Sequence, residues 1–175
     1  SMKEKMKKRI LALVAVLALV GAFMPAIVFA ADTGTVTCTV TATLVSVTVT
    51  DGNVTYGTLG LSSNKSTLAA ELNDRQTAIN SGTVAENFTI KSSNATRIGG
   101  TNWTLVTGTP GSNEFKHEFS TNSGGAWTAM TNSYTPLANG VLSGSNQTFD
   151  LRITMPSSTT DYLTHNITVT VMASL

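Results

Sequence analysis

The sequence predicts an all-β fold, an antiparallel sandwich or barrel, on the basis of two observations. After residue 30 the chain is rich in Thr, Ser, Asn, Gly and Val and poor in charge. The branched side chains of Thr and Val pack well on a pleated sheet, whereas Asn and Gly suit turns. Turn dipeptides also recur between short alternating runs, which favours many short strands over a mixed fold. These dipeptides are Asp51-Gly52, Ser81-Gly82, Gly99-Gly100, Pro110-Gly111, Gly124-Gly125 and Asn139-Gly140.

The alternating runs predict strands whose apolar residues share one face. The residues on these faces are Val84, Glu86, Phe88 and Ile90; Trp103 and Leu105; Phe115, His117 and Phe119; Phe149, Leu151 and Ile153; and Ile167, Val169 and Val171. Residues 66–79 offer one or two weak helical turns. A strand over 76–80, in a hairpin with 83–91 through Ser81-Gly82, is the preferred interpretation.

Residues 1–30 have the pattern of a secretory signal peptide. Basic residues from Lys3 to Arg9 precede an apolar run over 10–23, and Val28-Phe29-Ala30 places small residues before a cut after Ala30. The apolar run is shorter than the roughly 20 residues that cross a bilayer, although an uncleaved anchor stays the alternative. Ser1 precedes Met2 and is set aside as a cloning remnant. We therefore expect a secreted or cell-surface protein that meets the membrane only through this segment.

Charge excludes one class of partner. Five of the 11 basic residues and one of the 10 acidic residues lie in residues 1–30, so the rest of the chain carries 6 basic and 9 acidic side chains. This balance gives no basic surface for nucleic acid. About 145 residues remain, which is enough for one domain that buries roughly 68–70% of its unfolded surface.

The start of this remaining chain changes its alternation. Apolar residues occupy even positions from 36 to 44 and odd positions from 45 to 49. A slip of one residue turns every side chain to the opposite face, so 34–50 is not one regular strand. One interpretation is a β-bulge or a bend between two sheets. The other is a detached segment over 33–43 that completes a neighbour's sheet, followed by a domain over 44–175 that begins with a strand over 44–50. Residues 31–43 are then an N-terminal extension.

Cys38 is the only cysteine, so no intrachain disulfide can form. A lone thiol in an exported protein is either a small buried hydrophobe or a partner in an intermolecular bond. The buried interpretation is preferred.

No catalytic or metal-binding pattern stands out in the sequence. His117 shares its strand face with Phe115 and Phe119 and is expected to be a packed, hydrogen-bonded residue, whereas His165 is expected to be exposed. Nucleophile elbows, phosphate loops, HExxH motifs and EF-hand loops do not occur. We therefore expect no enzyme activity and no cofactor, with structural calcium at loop carbonyls and Asp51 or Asp161 left open.

Aromatic residues in loops are candidates for glycan contact. Trp103 alternates with Leu105 and is expected in the core. Trp127 follows Gly124-Gly125, and together with Tyr134 it is the better candidate for a surface that stacks on sugars.

Short motifs across residues 31–175 resemble those of secreted β-sandwich proteins. They are Val54-Thr55-Tyr56-Gly57-Thr58-Leu59, Asn87-Phe88-Thr89-Ile90-Lys91, Trp103-Thr104-Leu105, Phe149-Asp150-Leu151-Arg152-Ile153-Thr154-Met155-Pro156 and Ile167-Thr168-Val169-Thr170-Val171. They resemble Thr-rich surface proteins of minimal uncultured bacteria and, more widely, TasA/camelysin-like biofilm fibre proteins and archaeal bundling pilins. The resemblance implies a two-sheet, jelly-roll-like sandwich of about 8–10 strands, which polymerises by donating an N-terminal strand.

No catalytic residue carries over from this resemblance. The feature that carries over, by position and pattern, is segment 33–43 as a donor strand, which would insert Val36, Cys38, Val40 and Ala42.

The expected function is a secreted structural subunit of a cell-surface or extracellular fibre whose partner is another copy of itself, with Cys38 buried in the joint. A monomeric adhesin or carbohydrate-binding module that contacts surface glycans through Trp127 and Tyr134 is the main alternative, and an envelope or S-layer component is the third.

Overall fold

The structure is a computed structural model that describes residues 2–9 and 35–175. Residues 2–9 are helical. The predicted apolar run over 10–23, the predicted cut after Ala30 and positions 33 and 34 of the donor segment lie outside the described residues. Among the residues described, no helix is both long and apolar enough to span a membrane. The chain divides into two units, residues 1–40 and 41–175; in the first, residues 35–40 are exposed and form no regular structure.

Residues 41–175 form ten strands joined by turns and loops. They are β1 (Val47–Thr50), β2 (Asn64–Ser66), β3 (Gln76–Asn80), β4 (Glu86–Ser92), β5 (Thr104–Leu105), β6 (Glu114–Ser120), β7 (Thr128–Ala129), β8 (Thr135–Val141), β9 (Asn146–Thr154) and β10 (Val169–Ser174). The side chains of β3 and β4 alternate strictly between buried and half-buried, because successive residues of a strand point to opposite faces of the sheet.

The strands form two sheets that pack against each other. The larger has seven strands in the order β1-β3-β9-β6-β5, with β2 also paired to β9 and β7 to β6; the smaller has the order β10-β4-β8. The predicted all-β, two-sheet sandwich is confirmed. One pair departs from the antiparallel expectation: β5 runs parallel to β6, because the loop between them returns the chain to the end from which β5 started.

The core lies between the sheets and follows the predicted inward faces. Its main cluster is built from β4 and β9 of opposite sheets, and a second cluster surrounds Trp103. The main cluster contains Ala78, Phe88, Ile90, Phe119, Met130, Leu137, Val141, Phe149 and Leu151; the second contains Ala95, Trp103, Phe115 and Ile153. The expectations that Trp103 and His117 are buried are both confirmed.

The predicted hairpin of 76–80 with 83–91 is wrong, although both segments contain strands. β3 pairs with β1 and β9 in the larger sheet, whereas β4 pairs with β10 and β8 in the smaller one. The Ser81-Gly82 turn therefore carries the chain across the sandwich instead of folding it back on itself. Residues 69–72 form turns, and the described residues between 66 and 79 contain no helix.

Asn80 is the physical reason for this crossing. Its buried amide donates hydrogen bonds to the carbonyls of Val84 and Val141, both at 2.8 Å, and its Oδ1 accepts one from the Gly82 N–H at 2.8 Å. The side chain thus supplies bonds at the corner that a hairpin would make between backbones. A Cβ on Gly82 would also clash with the Glu86 carboxylate, so the corner admits only glycine without a shift.

The chain joins the sandwich at Leu44. The Leu44 N–H donates to Thr83 Oγ1, and the Leu44 carbonyl accepts from the Thr83 N–H, both at 2.9 Å. β1 itself begins only at Val47, three residues later than the predicted start of the strand over 44–50. Residues 35–43 form no strand. The separation of a donor segment from the domain stays a prediction, because a donor strand forms only in an assembly.

Candidate functional site

A cleft of about 850 Å³ opens between the two sheets. Its floor is the core face of β9, its first wall is the segment after β1, and its second wall is β10 with the loop before it. The apolar and aromatic lining residues are Val49, Val54, Tyr56, Leu59, Leu61, Trp103, Phe149, Leu151, Ile153, Met155, Tyr162, Leu163, Ile167, Val169 and Val171.

The β10 wall is an unpaired sheet edge, because among the described strands β10 pairs only with β4. The Ser93 N–H donates to the carbonyl of Thr168, directly opposite in register, at 2.9 Å. Hydrogen-bonded pairs alternate along an antiparallel ladder, so the backbone N–H and C=O groups of Val169, Val171 and Ala173 point away from β4. The side chains of the same three residues pack half-buried against the core. This wall therefore offers both backbone bonds and apolar surface.

Segment 53–59 forms the other wall and is a strand in side-chain pattern only. Val54, Tyr56 and Leu59 pack against the core, while the residues between them are exposed. The backbone of the segment makes no hydrogen bond to any other described residue. It is separated from β1 by Asp51 and Gly52, which both have left-handed backbone angles, with φ of 69° and 65°. This turn takes the chain out of the ladder with β3, and residues 53–59 form no strand.

His117 connects this wall to both sheets. Its Nε2 lies 3.0 Å from the Tyr56 hydroxyl and its Nδ1 lies 2.9 Å from Ser92 Oγ on β4. Burial lowers the pKa of His117 to about 4, so the ring is neutral at pH 7 and donates one of these hydrogen bonds while it accepts the other. Burial, and secondarily the charge of Asp74, raises the pKa of Tyr56. Tyr56, His117 and Ser92 are therefore all uncharged at pH 7, which suits the apolar lining of the cleft.

An aromatic stack lies at one end of the cleft. The rings of Trp103 and His165 are stacked with centroids 3.8 Å apart, and Trp103 Nε1 donates to Thr159 Oγ1 at 3.0 Å. Both nitrogens of His165 lie 2.8 Å from backbone carbonyl oxygens, those of Leu163 and Thr101. His165 was expected to be exposed, but its stacking on Trp103 leaves it half-buried.

The predicted donor residues lie in the exposed part of the chain. Val36 is 88% exposed and Val40 96% exposed, and Cys38 and Ala42 are exposed as well. Cys38 is thus not a buried hydrophobe in the single chain. The four residues alternate with threonines in the sequence, but residues 35–43 form no strand.

The two predicted glycan-contact residues are loop residues beside different sheets: Trp127 precedes β7 of the larger sheet and Tyr134 precedes β8 of the smaller one. The guanidinium of Arg152, on β9, sits 4.4 Å from the ring centre of Trp127. The ammonium of Lys91, on β4, sits 4.5 Å from the ring centre of Tyr134. Each ring therefore has one face against a cation, and the fold does not bring the two rings together into one platform. Their contact with glycans stays a prediction.

The carboxylates of Asp161 and Asp74 are engaged in structural contacts. Asp161 accepts from Arg97 at 2.6 Å and from the N–H groups of Thr101 and Leu163, and the Arg97 hydrogen bond is the main cause that lowers its pKa. Burial raises the pKa of Asp74, as does neighbouring Asp51. No cluster of three or more His, Cys, Asp or Glu side chains that could hold a metal occurs in the part of the chain that the structure describes.

Sequence reasoning did not identify the free edge of β10 or the unbonded segment 53–59 as the borders of a cleft. The signal for the second was present, because Asp51-Gly52 is followed at once by alternating apolar residues. Comparison with known proteins gives no further guide: no family model, curated protein or solved structure matches this chain.

Proposed function

We propose that this protein is a structural subunit of a secreted or cell-surface fibre, in which segment 33–43 of one copy adds as a strand to the cleft of the next. The observation that carries the proposal is the cleft beside β10, which combines an unpaired backbone edge with an apolar floor. Proteins protect free edges because they pair readily with another chain. An incoming strand gains backbone hydrogen bonds from the edge and specificity from the pockets beneath it.

The proposed donor fits this cleft in chemistry. Residues 33–43 contain no charged side chain, so none has to be desolvated on insertion. Val36, Cys38, Val40 and Ala42 present an apolar face to the floor, while the threonines between them face the other way, as in a strand with one buried face.

The donor also fits the cleft in length. Residues 36–42 span about 20 Å when extended, at roughly 3.3 Å per residue. The half-buried face from Ile167 to Ala173 has the same number of residues, and its members Ile167, Val169 and Val171 line the cleft.

A pair of charge variants in the donor tests the proposal, with a chain that begins at Ala31. Val40→Asp places a carboxylate on the inserting face, which costs several kcal/mol to bury unpaired. Thr39→Asp carries the same charge on the opposite face and is the matched control. Both positions are exposed in the single chain, so both variants are expected to fold normally by circular dichroism and thermal melting.

Negative-stain electron microscopy and sedimentation are the measurements. We expect regular filaments from the parent chain and from Thr39→Asp, and folded monomers from Val40→Asp and from a variant that lacks 32–43. Monomers of the parent chain at high concentration would overturn the proposal, as would normal filaments from Val40→Asp. Two-dimensional sheets in place of filaments would instead identify an envelope-layer component.

A further inference from the structure

We infer that the donated strand of a second copy runs antiparallel to β10, with Cys38 directly opposite Val171, and that it lies between β10 and segment 53–59. The inference rests on the proposed function and specifies how its joint is built. The incoming strand would be an internal strand with a neighbour on each side. The smaller sheet would then grow from three strands to five.

The backbone geometry of β10 restricts the pairing. Its free N–H and C=O groups belong to Val169, Val171 and Ala173, whose side chains face the core. Residues directly opposite each other in a ladder have side chains on the same face. The partners must therefore come from the inserting face of the donor, which excludes the threonines at 37, 39 and 41 as partners of these three residues. Only shifts by an even number of residues remain.

The number of inward residues on each strand selects, among these shifts, the register in which the donor and the β10 face overlap fully. The donor presents four inward residues, from Val36 to Ala42. Ile167, Val169 and Val171 line the cleft at the same spacing, and Ala173 continues this half-buried face along β10 beyond the cleft lining. Full overlap pairs all four positions, whereas a shift by two residues leaves an apolar residue exposed at each end.

Side-chain size then decides the direction. An antiparallel strand places Val36 opposite Ala173 and Ala42 opposite Ile167, so that each end combines a large and a small residue. A parallel strand pairs two large residues at one end and two alanines at the other. Alternation of large and small residues fills a layer evenly, and antiparallel ladders are slightly more stable per residue. The antiparallel register places Cys38 opposite Val171 and Val40 opposite Val169.

Segment 53–59 completes the site on the far side of the donor. In the inferred register the backbone groups of the threonines at 37, 39 and 41 point away from β10, toward this wall. The backbone of 53–59 has no hydrogen-bond partner among the described residues. The outward backbone groups of the donor thus meet a segment whose own backbone is unbonded, and the hydrogen bond between the Tyr56 hydroxyl and His117 holds this wall against the core.

Disulfide capture tests the register, because Cys38 is the only native cysteine. Directly opposite, hydrogen-bonded residues have Cα atoms about 5.5 Å apart, which lies within the range of about 4.4–6.8 Å that a disulfide spans. The chain from Ala31 with Val171→Cys is assembled under reducing conditions, oxidised, and run on a non-reducing gel. We expect a covalent ladder of multimers in most of the assembled protein.

Three matched variants accompany it. Val171→Cys with Cys38→Ser is expected to give no ladder, since chains with one cysteine stop at dimers. Thr170→Cys presents its thiol on the opposite face and is expected to give at least tenfold less ladder. Val169→Cys is the site opposite Cys38 in the parallel register, and a ladder from this variant in place of Val171→Cys would overturn the inferred direction.

The outcomes separate this inference from the proposed function. Filaments without a ladder from any of these variants would overturn the register and leave strand donation standing. Loss of free thiols in Val171→Cys without multimers would show that a chain fills its own cleft, which overturns the second copy as occupant. Absence of filaments from the parent chain would overturn the proposed function itself.

Discussion

The two flanks of the sandwich differ in how the chain closes the gap between the sheets. On the closed flank, residues 128–135 cross from the larger sheet to the smaller one. β7 pairs with β6, the Met130 N–H donates to the carbonyl of His117 at 2.9 Å, and the Thr131 carbonyl accepts from the Ser92 N–H on β4 at 3.1 Å. On the open flank, segment 53–59 covers the same kind of gap without a backbone bond to any described residue.

Apolar side chains do not explain this difference, because both segments direct them toward the core. Met130 is fully buried on the closed flank, and Tyr56 packs against both core clusters on the open one. The difference is in the backbone: the closed flank bonds to both sheets, whereas the left-handed residues Asp51 and Gly52 lead the open segment out of its ladder. The two flanks therefore differ in backbone hydrogen bonding and not in apolar cover.

The largest expected effect comes from a truncation on the closed flank. Met130→Ala leaves a cavity in a fully packed site and is expected to lower the free energy of unfolding by about 2–5 kcal/mol. Val54→Ala on the open flank removes methyl groups from a half-buried side chain and is expected to cost about 1 kcal/mol or less. Urea denaturation of the monomeric variant lacking 32–43 measures both. Equal losses would show that the two flanks are packed alike.

The pH dependence of stability tests the link between the flanks, because His117 contacts both. Its pKa is about 4 in the folded chain and 6.5 when unperturbed. The unfolded chain therefore binds more protons between these values, and stability is expected to fall as the pH falls from about 6.5 to about 4. The loss attributable to His117 is about 3 kcal/mol, at 1.36 kcal/mol per pKa unit.

Urea denaturation at pH 7 and at pH 4.5 measures this effect. His117→Gln keeps hydrogen-bonding groups but does not titrate, so this variant is expected to be less stable at pH 7 and to lose less stability on acidification. An equal loss in the parent and in His117→Gln would contradict the assignment to this residue.

Much of the fold followed from the sequence because alternation is a local signal. The strands around Phe88, Phe119 and Phe149 were predicted with their buried faces, and the core confirms them. The hairpin prediction failed because the turn after β3 decides whether the next strand pairs with β3 or crosses to the other sheet. Asn80 replaces backbone bonds with side-chain bonds there, and nothing in a Ser-Gly dipeptide distinguishes this turn from a hairpin.

Sequence reasoning singled out segment 33–43 but not the cleft. The change of alternation after Leu44 marks a segment that does not continue into the domain strand. The cleft is bordered by backbone groups of β10 and of 53–59 that make no hydrogen bond to a described residue, and both segments have the alternation of ordinary paired strands. Sequence shows which way side chains point, but a free ladder edge becomes visible only when the neighbours of every strand are known.

Hydrogen exchange at β10 tests the central claim, that the open flank receives a strand, most directly. Filaments of the parent chain are compared with the monomer that lacks 32–43, residue by residue. We expect the amides of Val169, Val171 and Ala173 to exchange rapidly in the monomer and at least a hundredfold more slowly in filaments, while those of Thr170 and Met172, which face β4, stay protected in both. Filaments in which Val169 and Val171 exchange as fast as in the monomer would contradict the account.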